Sequence, residues 1–370
     1  MSNVYRCRRC LNMSTRPRIE FDDNGYCNAC QWAAEKEHID WEERQAQLHT
    51  FIRKHGLKSR EYGCIVPVSG GKDSSYVAHM IKHKLGIHPL CITVNPPLSF
   101  TVGRTNLENF SNAGYDLLEV VPNPEIMRRI NKIGLLESGL PLLGWQLAVQ
   151  AYIPKLAVKL NIPMIMYGED GEVEYGGRSN SKDIMSYTVS YSKEVYLAGA
   201  YTKVLAGKFN ERDLAMFSYP SDEQIAANNV AMMHWSFFEP WDSYAHYTFA
   251  QEHFGLQEKD GALEVGTYKR DSQNDTCLYD LHTYLMFLKF GFGRATQDAG
   301  IDIRRSAMTR DEGIELVKKH DDWRPDIYFA EYCAYYEIME QELVGVFDAY
   351  ANKELLHKVN GRWVLREEIF

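Results

Sequence analysis

The strongest constraint on what this chain can fold into is a run of seven residues, Ser69-Gly70-Gly71-Lys72-Asp73-Ser74-Ser75. It follows the apolar stretch Tyr62-Gly63-Cys64-Ile65-Val66-Pro67-Val68 and leads into a helix-like segment from Ser74 to Leu85, so the local order is strand, loop, helix. Two glycines let the backbone approach an anion with no side chain in the way, and the helix start offers unpaired N–H groups and a positive dipole end. Lys72 adds a point charge, and Ser74 and Ser75 add hydroxyl donors. Asp73 is the unusual member, because a carboxylate repels phosphate unless Mg²⁺ bridges the two. The loop does not align with G-x-x-x-x-G-K-[ST], since Lys72 precedes Asp73 rather than Ser or Thr.

The surrounding pattern extends this unit. Leu90 to Val94 reads as a second buried strand, Asn106 to Ala113 as a helix, Asp116 to Val121 as a third strand and Pro163 to Tyr167 as a fourth. Between the last two lies a helical stretch, Trp145 to Leu160, which Pro154 is expected to interrupt. This alternation predicts an α/β fold with a doubly wound parallel sheet. We expect a cysteine-rich module over 1–31, a connecting helix over 32–60, the α/β core over 61–177, and a substrate-binding and helical C-terminal region over 178–370. Residues 176–267 read as helical or loop-rich and substrate-facing, and periodicity from Tyr279 onward is helical.

Eight cysteines are present, four of them within the first thirty residues as Cys7-x-x-Cys10 and Cys27-x-x-Cys30. That spacing fits a four-thiolate Zn²⁺ site, and a metal explains how so polar a segment folds at all. A closed four-thiolate site favours a structural clip over a substrate or partner contact. Cys64 and Cys91 fall in apolar strands and read as core residues. The formal net charge of -9 disfavours a broad nucleic-acid footprint, although Arg6, Arg8, Arg9, Arg16 and Arg18 form a local basic exception. No apolar run reaches the ~20 residues that span a bilayer, and the N-terminus lacks a secretory signal, so a cytoplasmic location away from membranes is expected.

Two further stretches draw attention. Gly168-Glu169-Asp170-Gly171-Glu172-Val173-Glu174-Tyr175-Gly176-Gly177 follows the fourth strand, where α/β sheets place ligand groups, and its acids suit Mg²⁺ or a substrate amine, or else form a solvated turn. Lys289 and Arg294 flank a glycine-bearing segment and could hold a carboxylate, a diphosphate or a γ-phosphate, or be solvated charges at a helix end. His234, Trp235, Trp241 and His246 could form an aromatic sugar platform, but such residues are more often core or rim, and they are not assigned to the site.

The SGGKDSS loop resembles that of the PP-loop ATP pyrophosphatases, which hold the β and γ phosphates and cleave ATP between α and β. With the cysteine pairs, the GED-GEVEYGG stretch, Val265-Gly266-Thr267-Tyr268, Lys289 to Thr296, Ile303-Arg304-Arg305 and Thr309 to Glu312, the chain resembles the N-acetyl sugar amidotransferase family across nearly its full length. The resemblance implies that ATP adenylates the acetamido oxygen of a bacterial surface-sugar precursor, a sugar nucleotide or nonulosonic acid of lipopolysaccharide or flagellar glycan synthesis. Ammonia then displaces AMP to leave an acetamidino group. It further implies that Ser69, Gly70, Gly71, Lys72, Asp73, Ser74, Ser75, Gly168, Lys289 and Arg294 hold the nucleotide, with Lys72, Asp73, Glu169 and Asp170 catalytic and Mg²⁺ bound. The sequence shows no glutaminase features, so a separate glutaminase and a barrel-type subunit resembling the histidine-pathway pair are expected to supply ammonia, unless free ammonia suffices. A PP-loop tRNA thiolase is the rival reading, opposed by the acidic net charge and by the lack of a cysteine pair near the loop; a non-catalytic nucleotide-binding subunit is the third.

Overall fold

The computed structural model describes residues 4–196, 199–261, 265–367 and 369. Before the sheet come α1 (Asn28–Glu35) and α2 (Trp41–His55). They are separate helices where the periodicity predicts one connector: Ile39 turns extended, and the Asp40 carboxylate caps α2 by accepting from the Glu43 N–H. The core then alternates through β1 (Cys64–Pro67), α3 (Lys72–His79), β2 (Pro89–Val94), α4 (Thr101–Asn112), β3 (Leu117–Val120), α5 (Pro124–Ser138), α6 (Leu143–Leu160) and β4 (Met164–Tyr167). Four short helices follow, α7 (Gly171–Tyr175), α8 (Val189–Val195), α9 (Ala200–Leu205) and α10 (Asp222–Ala227), leading to β5 (Ala231–His234). The remainder is α11 (Ser243–Phe254), α12 (Leu278–Phe290), α13 (Arg294–Arg304), α14 (Arg310–His320), α15 (Phe329–Tyr336), α16 (Glu340–Tyr350) and an antiparallel hairpin, β6 (Leu356–Val359) with β7 (Arg362–Leu365).

The main sheet is parallel throughout, in the order β3-β2-β1-β4-β5. Its two faces are read directly from strand alternation. Ile65, Ile92 and Ile165 join the core built with α5, α6 and α12, whereas Cys64, Val66, Cys91, Met164 and Met166 join the opposite core with α2, α3 and α11. Both sheet cysteines are fully buried, as their apolar context predicts.

Three features differ from expectation. Helix α6 runs through Pro154 without a break, because residues on either side of it (Ala151, Ile153, Leu156, Ala157) are buried and tertiary packing offsets the missing backbone donor. The sheet takes a fifth strand from beyond residue 177: β5 pairs in parallel with β4, four residues too few to show a clear period. The helical tail ends in a hairpin. Among the described residues, no helix is long and apolar enough to cross a membrane.

Candidate active site

The sheet reverses its winding at β1, with β2 on one side and β4 on the other, so the loops after β1 and β4 leave their carboxyl ends side by side. The first is the glycine loop. Gly70 has φ +80°, and a Cβ there would lie 2.5 Å from the Leu107 backbone nitrogen, so only glycine lets the loop pass against α4. The turn is held by its own serines: the Ser69 N–H donates to Ser74 Oγ, the Gly71 N–H to Ser69 Oγ, and the Ser74 hydroxyl to the Gly71 carbonyl, each at 3.3 Å. Helix α3 then starts at Lys72 with no side-chain cap, leaving its first N–H groups and dipole facing the cavity.

Lys72 Nζ lies 3.1 Å from Asp271 and 3.4 Å from Asp73. Burial favours its neutral form, but the two carboxylates outweigh burial and raise its pKa. Asp73 is pushed up by burial and pulled down more strongly by Lys72 and by His246, whose Nδ1 is 3.0 Å away, so it stays ionised. From the second loop, Glu169 turns toward the same space. Burial, and then the Asp73 charge, lift its pKa to about 7, while the Tyr175 hydroxyl donates to it at 2.8 Å. Burial also raises Asp275 to about 6, against the pull of Ser69 and Lys72. Four carboxylates, Asp73, Glu169, Asp271 and Asp275, thus line one cavity of about 240 Å³ with Ser69, Gly71, Ser74 and Gly168. Burial holds two of those acids above their ordinary range, and oxygen donors of this kind suit a hard divalent cation.

This central cavity joins two others. On one side is a more apolar space of about 350 Å³, walled by Val68, Val94, Leu107, Trp145 and Tyr279. On the other is a polar space of about 350 Å³ bearing Lys269, Arg270, Arg294, Asp302 and Arg305. Glu169 lines all three. Arg294 opens α13 beside the loop, its Nε donating to Asp298 at 3.0 Å. Asp298 is 1% exposed and also accepts from the Thr267 hydroxyl, which ties two sequence motifs into one wall.

Not every expected residue comes here. The Ser75 side chain is fully buried and lines none of these cavities. Asp170 caps α7 and accepts from Ser181 and Tyr196 in a buried network beside His234. Lys289 donates to the carbonyls of Ser138 and Gly139 at the end of α5, where burial lowers its pKa to about 8. Glu172 and Glu174 do not face the loop either. They hold the N-terminal module: Arg18 reaches Glu172 at 2.6 Å, and Trp32 and Lys36 reach Glu174 at 2.7 and 2.8 Å.

Conversely, sequence reasoning passed over Asp271, Asp275 and Tyr175 and left His246 unassigned. The polar run Asp271-Ser272-Gln273-Asn274-Asp275 between apolar segments was the available signal. It is drawn to the loop by Gly103, where a Cβ would sit 2.4 Å from the Asn274 carbonyl.

The four N-terminal cysteines converge as the spacing requires. Their sulfurs all lie within 4.8 Å of one another, with Cys10–Cys27 at 3.4 Å and Cys7–Cys30 at 3.8 Å. A tetrahedral ion with metal–sulfur bonds of about 2.3 Å needs sulfurs about 3.8 Å apart. Backbone N–H groups of Cys10 and Cys27 point at Cys7 Sγ, and the Asn12 amide at Cys27 Sγ, donors that favour thiolates. The residues fit a single metal ion.

Parallel sheet, glycine loop and carboxylate-lined cavity together define a doubly wound α/β protein with a polar cavity at the switch point of its sheet. Residues 241–369 match the family model described as LPS biosynthesis protein WbpG-like, C-terminal domain. No match was found among curated proteins. Among solved structures the chain is similar to the U34-tRNA thiolase NcsA from Methanococcus maripaludis with its [4Fe-4S] cluster, at 14% identity over 82% of this chain and 86% of that one, with a TM-score of 0.31.

Proposed function

We propose that the chain transfers AMP from ATP to the acetamido oxygen of a bacterial surface-sugar precursor and lets ammonia displace that AMP. The products are an acetamidino sugar, AMP and pyrophosphate. An amide carbon resists nucleophiles because its oxygen leaves poorly; adenylation makes the oxygen a good leaving group. The observation that carries the reading is the arrangement of cavities: an apolar one that suits a nucleoside, the glycine loop for phosphates, and a polar one for the sugar, with Glu169 at their junction. The C-terminal segment, matched to a lipopolysaccharide-synthesis family, supplies Arg294 and other walls of the polar cavity.

In this reading Ser69, Gly71, Ser74 and the start of α3 hold the β and γ phosphates, and Lys72 offsets their charge. Mg²⁺ would neutralise charge on the pyrophosphate, and Asp73, held ionised by Lys72 and His246, is the carboxylate that would hold it. Arg294 orients the substrate at the polar side. A Glu169 with its pKa near 7 can take the proton that the attacking nitrogen releases. The thiolate cluster binds Zn²⁺ as a structural clip. Ammonia comes from a separate glutaminase through a barrel-type partner, because this sequence carries no glutaminase nucleophile motif.

The test is release of AMP and pyrophosphate with diacetamido sugar nucleotides, ammonium and Mg²⁺. Asp73→Ala should lower kcat about 10²-fold or more. Turnover unchanged by that substitution would remove the role assigned to Asp73.

A further inference from the structure

Asn12 lies in the thiolate module, 2% exposed, and its single amide nitrogen serves two partners. Nδ2 donates to Cys27 Sγ at 3.4 Å and to the Tyr175 carbonyl oxygen at 3.1 Å. A primary amide has two N–H bonds, so both can be used at once in different directions. Tyr175 ends α7, and its hydroxyl donates to Glu169 Oε1 at 2.8 Å. The backbone makes room for this contact: Gly176 has φ +89°, and a Cβ there would stand 2.9 Å from Asn12 Nδ2. Other bonds hold the same interface, including Asn28 to the Gly177 carbonyl and Arg304 to the Glu174 carbonyl, but they fix the flank of α7 rather than Tyr175 itself.

We propose that Asn12 is a positioning residue that couples the thiolate cluster to the phosphate-loop site, holding Tyr175 so that its hydroxyl keeps Glu169 turned toward the loop. The proposal rests on the adenylation reading above for the role of Glu169. It turns the metal module from a remote clip into part of the wall behind the reacting groups. Without the amide, the Tyr175 carbonyl loses a buried donor and the end of α7 is free to shift, carrying the phenol away from the carboxylate. The charged and titratable groups facing Glu169 are Asp73 and Lys72 on α3, Asp271 and Asp275 on the following polar run, Tyr279 on α12 and Arg294 on α13.

The experiment is calorimetric binding of a non-hydrolysable ATP analogue with Mg²⁺ to the full chain across pH 5.5 to 8.5, with metal content measured on the same samples. Because the phenol stabilises the ionised carboxylate, Tyr175→Phe should move the pH at which affinity changes upward by about one unit. Asn12→Ala should shift it in the same direction with metal content unchanged, and the double variant should shift no further than Tyr175→Phe alone. Asn12→Ser, a milder change that leaves one donor, provides the same reading if the alanine variant does not fold. A wild-type profile in the soluble Asn12 variant, a shift that tracks metal loss, or full additivity in the double variant would each overturn the coupling. Failure of the wild-type chain to bind the analogue at all would instead sink the adenylation reading and this proposal with it.

Discussion

A carboxylate in a phosphate loop has to be kept ionised without repelling its ligand, and Asp73 shows how side chains arrange this. Lys72 and His246 take one oxygen each, at 3.4 and 3.0 Å, which leaves the acid charged while Glu169, further along the cavity, bears the electrostatic cost. That cost has a sign that can be checked. The pKa of Glu169 rises from 4.5 to about 7 on folding, so the folded state keeps its proton where the unfolded chain has released it. Its contribution to stability is fully present below pH 4.5 and is lost as pH climbs through about 7. Glu169→Gln should therefore match wild-type stability below pH 4.5 and increasingly exceed it between pH 4.5 and 7, by about 3 kcal/mol at the plateau. Differential scanning calorimetry across that window decides it; a constant offset at all pH values would show that Glu169 is not perturbed.

At the scale of elements, helix α7 joins the N-terminal module to the wall of the loop site. Five residues long, it has too few turns to stand alone, and it is held from both sides. Asp170 caps it from within the sheet's rim, while Arg18, Trp32 and Lys36 grip its acidic face from the N-terminal module. The module in turn has a core made of its four cysteines with Ala29, and Ile19 and Phe21 packed against them. So small a cluster does not offset the entropy of ordering the segment unless an ion closes it. Removing the metal with a chelator, or Cys10→Ser, should release hydrogen-exchange protection over 5–30 and α7 together while β1, β2 and β4 remain protected. Protection of the module that survives complete metal removal would contradict this.

For the whole molecule, the sheet is a platform with both faces covered, and the site is assembled on it from distant parts of the chain: β1 and α3, β4, the run before α12, and α13. A ligand that touches all of them should stabilise the folded state by mass action, about 2.7 kcal/mol at one hundred times its Kd. We expect an ATP analogue with Mg²⁺ to raise Tm by about 3 °C, and Gly70→Ala to abolish that gain because the added methyl collides with α4. An undiminished ligand-induced shift in the Gly70 variant would place the nucleotide somewhere other than the loop.

What could be read from the chain alone was whatever lies contiguous in it. The strand, glycine loop and helix at positions 64–79 and the two C-x-x-C turns are local patterns, in which spacing by itself dictates backbone shape and the direction of donors. The parallel alternation followed for the same reason, each strand being short, apolar and flanked by a helix. Only the tertiary structure decided which side chains face the cavity. Ser75, Asp170 and Lys289 sit in motifs that suggest ligand contact, yet helix phase and long-range packing bury the Ser75 side chain and turn Asp170 toward Ser181 and Lys289 toward the end of α5. Asp271, Asp275 and His246 enter through close backbone approach and stacking between segments more than a hundred residues apart in sequence, information that no local window contains.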